Sequence, residues 1–148
     1  MMTKNVFKLG LAALAMTAAV YAKDYRAEKP EAWTAKTVQD AIKALYGDIK
    51  PVESADIKVV TPDVGSNGGQ IPVSIKTTID AKSVAVLQDV NPESLVAVFA
   101  QNENTIPNYG MKIKMKKSGS VIVIVEGKDG KFYTAKKTLE VALGGCEG

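Results

Sequence analysis

The sequence predicts a mainly β fold, an antiparallel sandwich of about seven strands with a short helix ahead of it. Three observations carry that expectation. After Pro51 the chain breaks into short runs rich in β-branched residues. Turn residues separate these runs at short intervals, and nothing between them has the length or period of a crossover helix. At 148 residues, 46% hydrophobic and 24% charged, the chain can bury one real core, and immunoglobulin-like topology is the leading candidate.

The first 22 residues are read as a leader rather than as fold. Lys4 and Lys8 charge the amino end, Leu9 to Val20 is an apolar run, and Val20-Tyr21-Ala22 offers small side chains at −3 and −1 before Lys23. That is the layout of a secretory signal peptide. The rival, a membrane anchor, needs about 20 apolar residues, and Lys23 and Asp24 end this run early. No anchor is therefore expected after cleavage. The sole Arg, Arg26, lies beyond the cleavage site, which excludes a twin-arginine signal.

Residues 23–50 form the predicted helical segment. From Glu31 to Tyr46 the pattern is helical, with Val38, Ala41, Ile42 and Leu45 on one face. Thr37 with Asp40 suggests a capping box, and Gly47 suits a stop. Trp33, ahead of that turn, is expected to pin the segment to the body.

Residues 51–143 form the predicted sandwich, with strands near 57–60, 71–78, 83–87, 95–101, 109–116, 120–126 and 131–142. Ser118-Gly119 and Asp129-Gly130 read as hairpin turns, because Gly accepts the positive φ that tight turns demand. Met111 to Lys117 alternates apolar and basic side chains with period two, as a half-buried strand does with its lysines in water. The alternative is a basic stripe that docks an acidic partner. The Gly65–Gly69 stretch lacks the Gly-Lys-Ser/Thr ending of a phosphate loop and reads as a turn between strands.

Composition removes most catalytic chemistry. There is no His for a triad or near-neutral general base, and the single Cys cannot form an internal disulfide, a redox pair or an all-Cys metal cluster. No metal or cofactor is expected. Cleavage after residue 22 removes two Lys and no acid, leaving 17 basic against 16 acidic side chains. One Arg and near-neutral balance argue against nucleic acid as a partner.

The chain ends Gly144-Gly145-Cys146-Glu147-Gly148. An unpaired thiol in an exported protein implies an intermolecular bond or a reactive group. Residues 144–148 are predicted to form a flexible arm, reaching about 17 Å when extended at roughly 3.3–3.6 Å per residue. Composition leaves three readings level: a frayed end, a disulfide that ties an exported structural subunit to its neighbour, and a tethered carrier. A thiol peroxidase ranks last, because no activating His or resolving Cys exists.

The terminal Gly144-Gly145-Cys146-Glu147-Gly148 resembles the Gly-Gly-Cys-Gly-Gly carboxyl end of the SoxY family, substrate carriers of bacterial sulfur oxidation. Thr61-Pro62 through Asn67-Gly68, then Ile71-Pro72-Val73, is similar to that family's Pro…Glu-Asn-Gly…Val-Pro-Val stretch. Val90-Asn91-Pro92 to Phe99 is similar to its Asn-Pro segment and following strand. The resemblance implies a periplasmic immunoglobulin-like carrier that is not itself an enzyme and pairs with SoxZ. It implies Cys146 as the covalent attachment site, with Gly144, Gly145, Glu147 and Gly148 forming the arm. It further implies that a SoxXA cytochrome joins thiosulfate to the thiol, that SoxB releases sulfate, and that a sulfur dehydrogenase oxidises the remaining sulfur where present. Two departures stand out. The signal is of the general secretory type where the family usually has twin arginines, and Glu147 replaces Gly, setting a carboxylate beside the thiol.

Overall fold

The computed structural model describes residues 23–143. The predicted leader and the arm, including Cys146, lie outside the described residues. Three short helices come first: α1 (Tyr25–Glu28), α2 (Pro30–Thr34) and α3 (Val38–Tyr46). Nine strands follow: β1 (Val52–Glu53), β2 (Ile57–Val60), β3 (Val64–Gly65), β4 (Ile71–Thr77), β5 (Ala81–Gln88), β6 (Leu95–Ala100), β7 (Asn108–Ile113), β8 (Gly119–Gly127) and β9 (Phe132–Val141).

Two sheets build an immunoglobulin-like sandwich. The larger runs β1-β9-β8-β5-β6, with β3 also on β9; the smaller runs β2-β4-β7. Pairing is antiparallel except where β1 and β3 run parallel to β9. Ile71, Val73 and Ile75 of β4 meet Val84 and Val86 of β5 and Val121, Val123 and Val125 of β8 between the sheets. Alternate positions of β4 face water, which is the period-two pattern of a strand buried on one side.

The larger sheet is covered on both faces. Ala85, Leu87 and Ile124 turn away from the smaller sheet and pack on Tyr25, Ala32, Ala41 and Leu45 of the helices. That second layer explains why residues 121–125 are an unbroken apolar run. A polar tie joins the layers: the Tyr46 hydroxyl meets Ser83 Oγ at 2.8 Å, and Ser83 donates to Glu126 Oε2 at 2.8 Å. Burial pushes the Tyr46 phenol well above its ordinary pKa, so it stays protonated as the donor.

The helical segment differs from the single stretch expected from Glu31. Thr37 has an extended backbone (φ −122°, ψ 155°) and its hydroxyl accepts from Asp40 N, so it starts α3 and ends any helix running into it. Asp24 caps the additional helix α1 through Arg26 N and Ala27 N. Trp33 is half-buried in the helix-side core, with the Arg26 guanidinium 4.9 Å from its ring centroid. Gly47 and Gly130, both at φ 80°, supply the helix stop and the β8–β9 hairpin as expected.

Ser118-Gly119 is not a hairpin turn. The strands on either side belong to different sheets, and the segment crosses between them. Glycine is needed there for close approach: a Cβ at 119 would collide with Val90 and Asp89, whose Oδ1 accepts from Ser120 N at 2.8 Å.

Candidate functional site

The expected attachment residue, Cys146, and its neighbours Gly144, Gly145, Glu147 and Gly148 lie outside the described residues. The structure instead defines the ground from which that terminus departs. Three segments meet there: the loop 63–69, the run 114–118 and the end of β9.

The last residues of β9 are clasped on both sides. On one, β3 pairs in parallel, Val64 opposite Glu140 and Gly65 opposite Val141. Glu140 N donates to Asp63 O at 2.9 Å, Ala142 N to Gly65 O at 2.9 Å, and Gly68 N to Leu143 O at 2.8 Å. On the other, Val141 N donates to Ser118 Oγ at 2.8 Å. The chain is therefore held by backbone bonds up to Leu143, whose side chain is 70% exposed.

The Gly65–Gly69 stretch is more than the turn its composition suggested. Gly65 is buried, and a Cβ there would displace Ile71 Cδ1 from its place in the core, so glycine lets β3 lie close over Ile71. Asn67 Oδ1 accepts from Gly69 N at 2.8 Å, shaping the bend. Gly68 bonds twice: its N–H to Leu143 and its carbonyl to Met115 N at 2.7 Å. One residue thus joins the exit of the chain to the lysine run.

That run is steadied from a third loop. Asn91 Nδ2 donates to Lys114 O at 2.7 Å, and Asn91 Oδ1 accepts from Lys116 N at 3.0 Å. Met115 is fully buried between them while Lys114, Lys116 and Lys117 are exposed, as the alternation required.

One ion pair marks the clasp. Lys137 Nζ lies 2.7 Å from Asp63 Oδ1, and that hydrogen bond and charge hold the Asp63 carboxyl below the ordinary carboxylate range. A depressed folded pKa favours the native state at pH above the unfolded value, and the benefit goes as pH falls through the folded pKa. In an NMR titration the Asp63 carboxyl carbon should therefore show a midpoint below that of a free aspartate. Lys137→Met should return it to the ordinary value; an unshifted wild-type midpoint would contradict the pairing. Lys136, one residue away, is not part of this pair and lines a surface hollow with Thr37 and Ile122.

The hold of residues 63–68 and Ser118 on the end of β9 was missed from sequence. Strand β3 has two residues, and its partner lies some 76 positions later, beyond the reach of any local pattern. Among the described residues no group of three His, Cys, Asp or Glu gathers as a metal site.

A family model described as "Sulfur oxidation protein SoxY" matches residues 42–146. The structure is similar to that of the sulfur carrier protein SoxY from Chlorobium limicola f thiosulfatophilum, at 28% identity and TM-score 0.66, covering 72% of this chain and 97% of that one. It is also similar to a superoxide reductase (neelaredoxin) from Ignicoccus hospitalis, at 16% identity and TM-score 0.52, covering 57% of this chain and 79% of the other. That second likeness concerns the fold alone. No curated protein sequence matches the chain.

Proposed function

The chain belongs to the SoxY family of sulfur-oxidation carriers, and from that membership we propose that it holds thiosulfate-derived sulfur covalently on Cys146 in the periplasm. The observation that carries this reading is the extent of the family match, which runs up to residue 146, the cysteine itself. The clasp adds support, because Leu143, the last of the described residues, is held at the surface only three positions before the thiol.

The chemistry is a two-electron oxidation. The Cys146 thiolate and thiosulfate join through a new S–S bond, giving Cys–S–S–SO3⁻, and the two electrons released would be taken up one at a time by an oxidised c-type cytochrome of the SoxXA kind. Starting from the thiol, one proton is released as well. Water then cleaves the S–SO3 bond in an enzyme of the SoxB kind, leaving a Cys persulfide, sulfate and two protons. A sulfur dehydrogenase oxidises the persulfide sulfur where one exists. SoxZ is the proposed standing partner, and the leader delivers the chain by the general secretory route.

Glu147 shapes the first step. Its carboxylate disfavours the neighbouring thiolate and repels the dianionic substrate. A charging enzyme with a matching Lys or Arg at that point, or with a somewhat different substrate preference, would accommodate it.

Intact-mass measurement tests the proposal. Protein incubated with thiosulfate and the oxidised cytochrome should gain one thiosulfonate group, removed by reductant. Absence of the adduct, or a disulfide-linked dimer in its place, would overturn it.

A further inference from the structure

The outer face of the smaller sheet is basic and carries no internal counter-charge. Lys58 of β2, Lys76 of β4 and Lys112 of β7 are exposed on it, and Lys114, Lys116 and Lys117 continue from the end of β7. Strands β2, β4 and β7 and residues 114–118 contain no Asp or Glu. None of these six lysines forms an ion pair among the described residues. Lys112 reaches only the neutral Gln70 Oε1, at 3.4 Å.

The arrangement costs the fold something. The register sets Lys58 directly opposite Lys76, and like charges facing across strands are destabilising. Nor does the rest of the chain demand it. Residues 23–143 hold 17 basic and 15 acidic side chains, so setting these six lysines apart leaves 11 basic against 15 acidic. The charge is polarised, with one cationic face on an otherwise acidic body.

The face is also flat enough to be covered. Its middle row is Val60, Ser74 and Gly110, all exposed, with Val60 the largest side chain. Lysines stand in the rows on either side of it, Lys58 and Lys76 in one and Lys112 in the other. The arm-proximal group, Lys112 to Lys117, is tied through Met115 and Gly68 to Leu143.

We propose that this lysine-rimmed face is the docking surface for the enzymes that receive the terminal thiol, each presenting a carboxylate-rich rim around its active-site entrance. The inference rests on the carrier reading and adds the chemistry of the partner's surface. Cys146 lies three residues beyond Leu143, so an enzyme admitting it must press against the ground beside Leu143. Gly68 links that ground to the lysine run. Paired charges on such a rim speed encounter and set orientation.

The test compares three proteins: wild type, Lys112→Glu/Lys116→Glu/Lys117→Glu, and a control with the same charge change at the exposed, unpaired lysines of other faces, Lys50→Glu/Lys82→Glu/Lys131→Glu. The rate of thiosulfate attachment by the c-type cytochrome is followed at low and high ionic strength. At low salt the first variant should charge about 10-fold more slowly, with the gap closing as salt rises. The control should stay near wild type. Reaction of Cys146 with a small aromatic disulfide should be equal in all three. Equal enzymatic charging of the first variant, an equal loss in the control, or a matching loss with the small reagent would each overturn the proposal. The last outcome would assign the lysines to the thiol or its anionic cargo. Carbodiimide cross-linking of carrier to cytochrome, mapped by mass spectrometry, reads docking without any attachment. Links should fall on Lys112 to Lys117, and links confined to other faces would refute the surface even if no adduct forms. An uncharged wild type that still links at these lysines would count against the carrier reading alone.

Discussion

A Cys146→Ser variant is expected to fold as the wild type does and to carry no sulfur at all. Among the described residues, both cores are built between Tyr25 and Val141, and the variant is expected to leave them as they are. Far-ultraviolet circular dichroism and melting temperature should therefore coincide with wild type. The chemical loss should be complete, because a hydroxyl is neither acidic enough to ionise nor able to form the S–S bond of the adduct. The chain has one Cys, so no second thiol can take over. An equal mass gain on the Ser variant would mean that the cargo sits elsewhere.

The second large effect concerns stability. Gln88 is fully buried, and its amide organises the loop after β5. Its Oε1 accepts from Val90 N at 2.8 Å and Asn91 N at 2.6 Å, while Nε2 donates to Glu93 O at 2.6 Å. Gln88→Leu keeps the volume and strands all three backbone groups. At about 1–3 kcal/mol for each unsatisfied group, with partial relaxation, the variant should lose about 3 kcal/mol and roughly 10 °C in melting temperature. A Leu variant within about 0.5 kcal/mol of wild type, the ordinary range for surface changes, would show that the loop does not depend on this amide. The loop matters beyond itself, because Asn91 within it grips Lys114 and Lys116.

What was legible in the sequence follows from the range of each interaction. The alternation of residues 71–77 and the Asp129-Gly130 hairpin are local, and the structure has both. The capping pair Thr37 and Asp40 was also legible, but the helical pattern was carried back through the cap to Glu31, where the structure has a separate helix, Pro30–Thr34. The run at 121–125 showed a buried strand without showing that helices cover its second face. The turn at Ser118-Gly119 was misread because a close approach to Val90 and a positive φ both call for glycine. At the site, the terminal motif pointed to Cys146, whereas the clasp around Leu143 was invisible. Its bonds join residues 63–68 to 140–143, and no periodicity reports a backbone contact across that distance.

The bond from Gly68 N to Leu143 O acts as the zero mark of a ruler. Counting from it, the sulfur-bearing residue is the third, so its backbone can extend about 10 Å from that mark, at roughly 3.3–3.6 Å per residue. On the proposed carrier role, the enzymes that take up Cys146 would meet it within about that reach of the mark. Lengthening the span by one glycine would move the delivery depth by about 3.5 Å for all of them at once.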